Sequence, residues 1–296
     1  MARALHRALG GEALTAIVNV GDDEDIYGLR VCADLDTVMY TMVGEESAQG
    51  WGVKGDTFTI MDHLDTLGVD TTFRLGDKDL ATCLRRTALL SDGEPLSAVT
   101  ASLAAHLGID AHILPATDES VRTFVQIDDL SWLPFQEYFV MRRHEPDVRA
   151  VVFEGALTAA PAPGVVEAIS AADVVVIAPS NPVLSIWPIL AVAAIRRAVE
   201  AHDTVVAVSP LFGGKPLRGP ADRLLAAQGL PPGNEGVLAG YEGLLTDLVI
   251  DVGDAADAAD LEGDVRIHVV DTRLEDPQAG AEFAAWLVDT LAAVSR

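Results

Sequence analysis

From residue 14 to residue 293, short apolar runs alternate with amphipathic stretches, and this alternation limits the fold more than any other feature. The runs at 14–19, 111–114, 150–153, 174–178, 205–209, 248–251 and 267–271 are short and rich in Val and Ile, as buried strands are. Between them, segments 78–90, 96–107, 164–171, 188–202, 220–228 and 279–293 carry helical spacing. A helix over 2–9, stopped by Gly10-Gly11, precedes the first run. Strand and helix in strict turn predict an α/β fold: a doubly wound, Rossmann-like, mainly parallel sheet. The stretch "VRTFVQIDDLSWLPFQEYFVMRRH" breaks the pattern, holding five of the sixteen Phe, Trp and Tyr residues. It predicts an aromatic-rich α+β excursion inserted at about 115–149 into one domain spanning 1–296.

Charge narrows the partners. The formal net charge is −25, a field that repels nucleic acid and anionic membrane alike, so neither is expected. No window approaches the roughly 18 uninterrupted apolar residues of a membrane span, and Arg3, His6 and Arg7 interrupt any secretory core, so the chain reads as cytoplasmic. Cys32 and Cys83 are too few for a disulfide framework or a four-cysteine zinc site and read as buried thiols. An anionic substrate would need positive charge, a cation or backbone N–H groups gathered locally.

Four clusters could carry chemistry, three of them where a predicted parallel strand ends, the side on which open α/β sheets bind ligands. The first is "VNVGDDEDIYGLRVCADLDTVMY", where Asn19, Asp22 and Asp23 follow a strand and Asp34 and Asp36 precede a helix. Loop carboxylates in pairs suit a hard divalent cation, but the same residues serve as helix caps and solvated turns. The second, "GWGVKGDTF", sets Trp51 between glycines, either as a stacking surface for a planar ring or as core packing, with Asp56 close by and Lys78 in a similar turn further on. The third, "APSNPVLSIWPIL", puts Ser180 and Asn181 at a strand–loop–helix junction, with Ser185 beyond, a place where unpaired N–H groups favour phosphate. The fourth, "SPLFGGKPLRGPADR", brings Lys215 and Arg218 among glycines in a chain that is otherwise very acidic. The acidic repeat "GDAADAADLEGD" (253–264) reads as a solvated loop. No GxSxG, HExxH or CxxC motif occurs, so covalent catalysis is not expected.

Nine blocks, in order from residue 19 to residue 272, resemble the 2-phospho-L-lactate transferase family: "NVGDD", "ADLDTVMYT", "GWGVKGDTF", "LGDKDLAT", "VRT", "FQEYF", "APSNPVLSIWPILAV", "VAVSPLFGGKPLRGPADR" and "VVDT". The resemblance implies a transferase of coenzyme F-420 biosynthesis. It would move a 2-phospholactyl or phosphoenolpyruvyl group from a guanosine-diphosphate-linked donor to the deazaflavin Fo, releasing GMP. It further implies Mg²⁺ as cofactor, with Asp23 and Asp36 as metal carboxylates and catalytic residues. Asp36 stands for the metal, for the ribityl hydroxyl of Fo, or for both. Trp51, Gly52, Asp56 and Lys78 would line the Fo site. Ser180, Asn181, Ser185, Gly213, Gly214, Lys215 and Arg218 would hold the nucleotide. Relatives lead to the expectation of a homodimer. They also begin with a strand and a "GGTGG"-like loop that this sequence does not show ahead of its first helix, which would leave an internal sheet position unpaired.

The rival reading is a nucleotide-sugar-binding regulatory protein of the same fold without transferase activity. It would have no use for "GWGVKGDTF".

Overall fold

The computed structural model describes the chain except residues 48–49, 51, 218, 262, 275–276 and 292–296. Helix α1 (Ala2–Leu9) leads into strand β1 (Thr15–Val18), and a small hairpin of β2 (Glu24–Ile26) and β3 (Leu29–Val31) follows. Helices α2 (Ala33–Val43), α3 (Thr59–Thr66), α4 (Asp77–Ser91) and α5 (Leu96–His106) come before β4 (His112–Pro115). Then come β5 (Arg122–Ile127), β6 (Trp132–Pro134), β7 (Val148–Glu154), α6 (Val165–Ala171), β8 (Val175–Ile177), α7 (Trp187–Leu190) and α8 (Ala193–Glu200). The last part holds β9 (Val205–Val208), β10 (Leu211–Phe212), β11 (Lys215–Pro216), α9 (Ala221–Ala227), α10 (Gly233–Gly240), β12 (Asp247–Asp251), β13 (Arg266–Val270) and α11 (Pro277–Leu291).

The predicted doubly wound α/β architecture is present. Strands β13, β12, β9 and β8 form a four-stranded parallel sheet, and β1 pairs with β4 in a second parallel piece. No ladder joins β1 to β8 among the described residues. Every residue of β9 and β12 is buried, because helices cover both faces of the sheet. Side-chain alternation sorts them into two cores. Val205, Ala207, Leu248 and Ile250 join the larger core, whereas Val206, Val208 and Val249 pack with Leu5 of α1 and Phe283 and Leu287 of α11. Among the described residues no single helix is long and apolar enough to cross a membrane.

The aromatic excursion is an antiparallel sheet ordered β6–β5–β7. The apolar spacing predicts 150–153 as another parallel strand, but that run lies in β7, which pairs antiparallel with β5. The burial of β5 alternates residue by residue, as expected for a sheet with one covered face. A second expectation also needs correction: the acidic stretch 253–264 is not wholly solvated, since Asp254 is only 4% exposed.

At the other end of β12, the buried carboxylate of Asp247 accepts from Arg266 Nε and Nη2 (2.8 Å each) and Thr246 Oγ1 (2.7 Å), and meets His268 Nε2 at 2.7 Å. Burial alone would raise this carboxyl, but the bonds from Arg266, Thr246 and His268 outweigh it and hold the group down at about 2. A carboxylate held below its unfolded value of about 3.9 adds stability above that pH and loses it as pH falls toward 2. Because Arg266 is half exposed, solvent screening reduces the contribution to about 1–2 kcal/mol. Asp247→Asn should therefore lower the urea midpoint at pH 7 but change it little near pH 2.5. Equal losses at both pH values would show that the cluster acts through packing alone.

Candidate functional site

The acidic loop after β1 folds under the antiparallel sheet. Thr123 N–H donates to Gly21 O (2.8 Å) and Gln136 Nε2 to Asp22 O (2.9 Å), pinning the loop from above. Asn19 pins it from below: its Oδ1 accepts from Gly21 N (2.7 Å), while Nδ2 donates to Asp34 Oδ2 (3.0 Å) and Leu184 O (3.4 Å). A Cβ on Gly21 would sit 2.6 Å from Thr123 Oγ1, so only glycine lets the loop pass this close.

That cover removes Asp22 and Asp23 from water, each only 6% exposed. One oxygen of each, Oδ1, is buried with no hydrogen-bond partner among the described residues. Burial pushes Asp22 well above the usual carboxylate range, with Asp34 adding to the effect. Burial likewise carries Asp23 up to about 7 against the opposing pull of Cys32, Arg86 and Arg30. Asp34 is raised too, again by burial. Carboxylates crowded and desolvated without partners call for a proton or a cation. An unclaimed carboxylate oxygen on each of two successive residues is the kind of donor that a hard divalent ion takes.

Asp36 is placed differently. Both of its oxygens accept from Arg86 of α4: Nη1 reaches Oδ2 at 3.0 Å and Nη2 bonds Oδ1. Arg86 is 1% exposed and its Nη1 also reaches Arg30 O (3.3 Å). Burial works against the guanidinium charge, but Asp36 outweighs it and pushes Arg86 up. The two carboxylates paired by family resemblance thus part company, Asp23 with a free oxygen and Asp36 with none. Asp79 and Cys83 lie close to Asp36, and burial together with Asp36 raises Asp79 to about 6. The sequence reading missed Arg86. Its signal was slight, an arginine in register with Leu80 and Cys83, which are buried on the same helix.

Trp51 lies outside the described residues. Gly52 is half-buried with φ 72°. Asp56 is a cap: Oδ1 accepts from Thr57 N (2.8 Å) and Lys78 N (2.9 Å), and Oδ2 from Asp79 N (3.2 Å), closing the start of α4. Lys78 Nζ donates to Lys54 O at 3.2 Å. Asp56 thus joins segments 52–58 and 75–82.

A cavity of about 560 Å³, within the usual range of ligand sites, lies at the carboxyl ends of the parallel strands, and of the residues expected on the nucleotide side Asn181 lines it, whereas Ser180, Ser185, Gly213, Gly214 and Lys215 do not. Arg3, Arg7, Asn181, Phe212 and Thr272 are among its walls. The Asn181 side chain caps the wide turn Pro182–Ile186, accepting from Val183 N (3.0 Å) and Leu184 N (3.3 Å). Because Asn19 bonds Leu184 O, this turn ties the acidic cluster to the cavity. Ser180 and Ser185 are half-buried on either side of Asn181. Gly213 and Gly214 turn a hairpin between β10 and β11 and bring Lys215 to the surface, and Pro216 and Leu217 join the cavity wall. Arg218 lies outside the described residues. Arg3 and Arg7, one turn apart on α1, were missed as site residues, although their i, i+4 spacing puts them on one helix face.

A doubly wound α/β protein with a cavity at the carboxyl ends of its parallel strands, walled by Arg3, Arg7 and the Glu46 that pairs with Arg3, belongs to the class of Rossmann-like proteins whose ligands bind at that crevice. The comparisons are specific. Residues 1–278 match the family model described as 2-phospho-L-lactate transferase CofD. The chain is 43% identical over 290 residues to a phosphoenolpyruvate transferase of Streptomyces griseus, covering 95% of this chain and 91% of that protein. It is 42% identical over 294 residues to one of Thermobifida fusca, covering 96% and 90%. In fold it is similar to a UPF0052 family protein of Bacillus halodurans, with TM-score 0.61 and 16% identity over 97% of this chain and 94% of that one. The chain belongs to the 2-phospho-L-lactate transferase CofD family and is a transferase of coenzyme F-420 biosynthesis.

Proposed function

We propose that this enzyme transfers a phosphoenolpyruvyl group from a guanosine-diphosphate-linked donor to the ribityl hydroxyl of Fo, releasing GMP, with Mg²⁺ as cofactor. The orphaned buried oxygens of Asp22 and Asp23, on a loop tied through Asn19 and Leu184 to the turn that Asn181 of the cavity wall caps, carry this reading. The relatives quoted at 42–43% identity are named phosphoenolpyruvate transferases, which favours the enolpyruvyl over the lactyl donor. In the transfer, the hydroxyl oxygen bonds to the phosphorus bearing the enolpyruvyl group, the phosphorus–oxygen bond to GMP breaks, and the hydroxyl proton is lost. Positioning and charge neutralisation supply most of the catalysis in such a reaction.

Asp22 and Asp23 would hold the cation, with Asp34 adding negative charge. Bound there, Mg²⁺ would offset the diphosphate charge that builds on the departing GMP. Asp36, engaged by Arg86, acts on this reading as the brace that fixes α4 against α2 rather than as a ligand. Arg3, Arg7, Asn181 and Lys215 would receive the nucleotide diphosphate, and segments 52–58 and 75–82 the deazaflavin.

The experiment is a chromatographic assay with enolpyruvyl-diphosphoguanosine, Fo and Mg²⁺. GMP and phosphoenolpyruvyl-Fo should appear in equal amounts and stop on chelation. Tight nucleotide binding without GMP release would instead favour the regulatory reading.

A further inference from the structure

The hairpin carrying Lys215 cannot hold its own position. Each of its strands has two residues, and its turn is Gly213-Gly214 with φ 61° and 76°. Two successive left-handed residues make the type I′ turn that favours glycine, and a ladder this short is not stable alone. Something outside the hairpin must fix it.

We infer that the acidic loop after β12 is a clasp for this hairpin, with Asp254 the positioning residue that sets Lys215 and the cavity wall for the nucleotide. This inference rests on the donor reading above. Asp254 Oδ1 accepts from Gly214 N–H at 2.6 Å, from 40 residues away. Asp254 is 4% exposed, and its Oδ2 is buried without a partner among the described residues. A carboxylate kept out of water on one strong bond costs stability, which sets it apart from the solvated acids of an ordinary loop.

The clasp is itself anchored. Asp254 ends the tight turn Val252–Asp254, whose cap Asp251 accepts from Gly253 N (2.8 Å). The other Asp251 oxygen accepts from Thr272 N (3.1 Å), fastening the turn to the ends of β12 and β13. The same loop grips the base of the hairpin through a relay. Asn234 Nδ2 donates to Asp257 Oδ2 (3.0 Å), Ser209 Oγ donates to Asn234 Oδ1 (2.6 Å), and Leu211 N donates to Ser209 Oγ (3.2 Å). Tip and base are thus both held by one acidic segment, and Phe212 and Pro216, which wall the cavity, are held with them.

Two measurements on the full chain test this. Hydrogen exchange across 209–217 should speed up about tenfold or more in Asp254→Ala at an unchanged melting temperature, and should return near wild type in Asp254→Asn, whose amide oxygen still accepts from Gly214. Calorimetric titration with GDP should show affinity weakened about tenfold in Asp254→Ala, while the KM for Fo holds. Unchanged exchange in Asp254→Ala overturns the clasp. Faster exchange with wild-type GDP affinity overturns the positioning role. A wild-type chain that binds no GDP overturns the donor reading and the positioning role with it, while the exchange data still decide the clasp.

Discussion

Asp22→Asn and Asp23→Asn are each expected to cut turnover about 100-fold or more while leaving the chain folded. Both side chains are buried with an unclaimed oxygen, and an amide keeps the shape while removing the charge that a cation requires. The fold itself should gain. With its carboxyl raised to about 7, Asp23 is protonated in the cation-free fold at pH 5, whereas in the unfolded chain it is already ionised. Cation-free stability therefore falls as pH rises from about 4 to about 7, and above that the ionised Asp23 costs the fold about 4 kcal/mol. Mg²⁺ should flatten that slope in the wild type and have no such effect on the melting temperature of Asp23→Asn. Wild-type turnover in both variants, or melting curves insensitive to Mg²⁺ throughout, would refute the cation assignment.

The second large effect is structural. Arg86→Met should destabilise the protein by about 3–5 kcal/mol in urea titration, because it strands the Asp36 charge in the interior. That is a large share of the 5–15 kcal/mol typical of a whole domain. The double variant Arg86→Met with Asp36→Leu should recover most of the loss, since replacing a buried pair with apolar groups of similar volume is often neutral. A loss below about 1 kcal/mol in the single variant would mean that water reaches the pair and that Asp36 is available for other work.

These two expectations mark how far the residues could be read in order. That Asp22, Asp23, Asp34 and Asp36 formed one candidate cluster was legible from their place after an apolar run. Which of them is unpartnered was not, because Arg86 arrives from 50 residues away on another helix. Asp56 was legible as a polar residue in a glycine-rich turn, but its role as a cap across 22 residues to Lys78 was not. The run 150–153 misled for a related reason: a short apolar stretch fits a parallel or an antiparallel strand equally, and only the partner decides.

The acidic repeat 253–264 is the clearest case. Low complexity is a property of composition, and composition made it a solvated loop. Whether an aspartate faces water or a backbone N–H depends on what is packed over it, and Asp254 is covered by a hairpin distant in sequence. By itself the sequence determined the alternation of strand and helix, burial on both sides of the central strands, and the placing of chemical residues at strand ends. All of these follow from local periodicity and the short reach of the chain between elements. Tertiary structure decided which acids lose water, which find a guanidinium and which keep an unclaimed oxygen, because desolvation and long-range pairing are set by packing that no local pattern encodes.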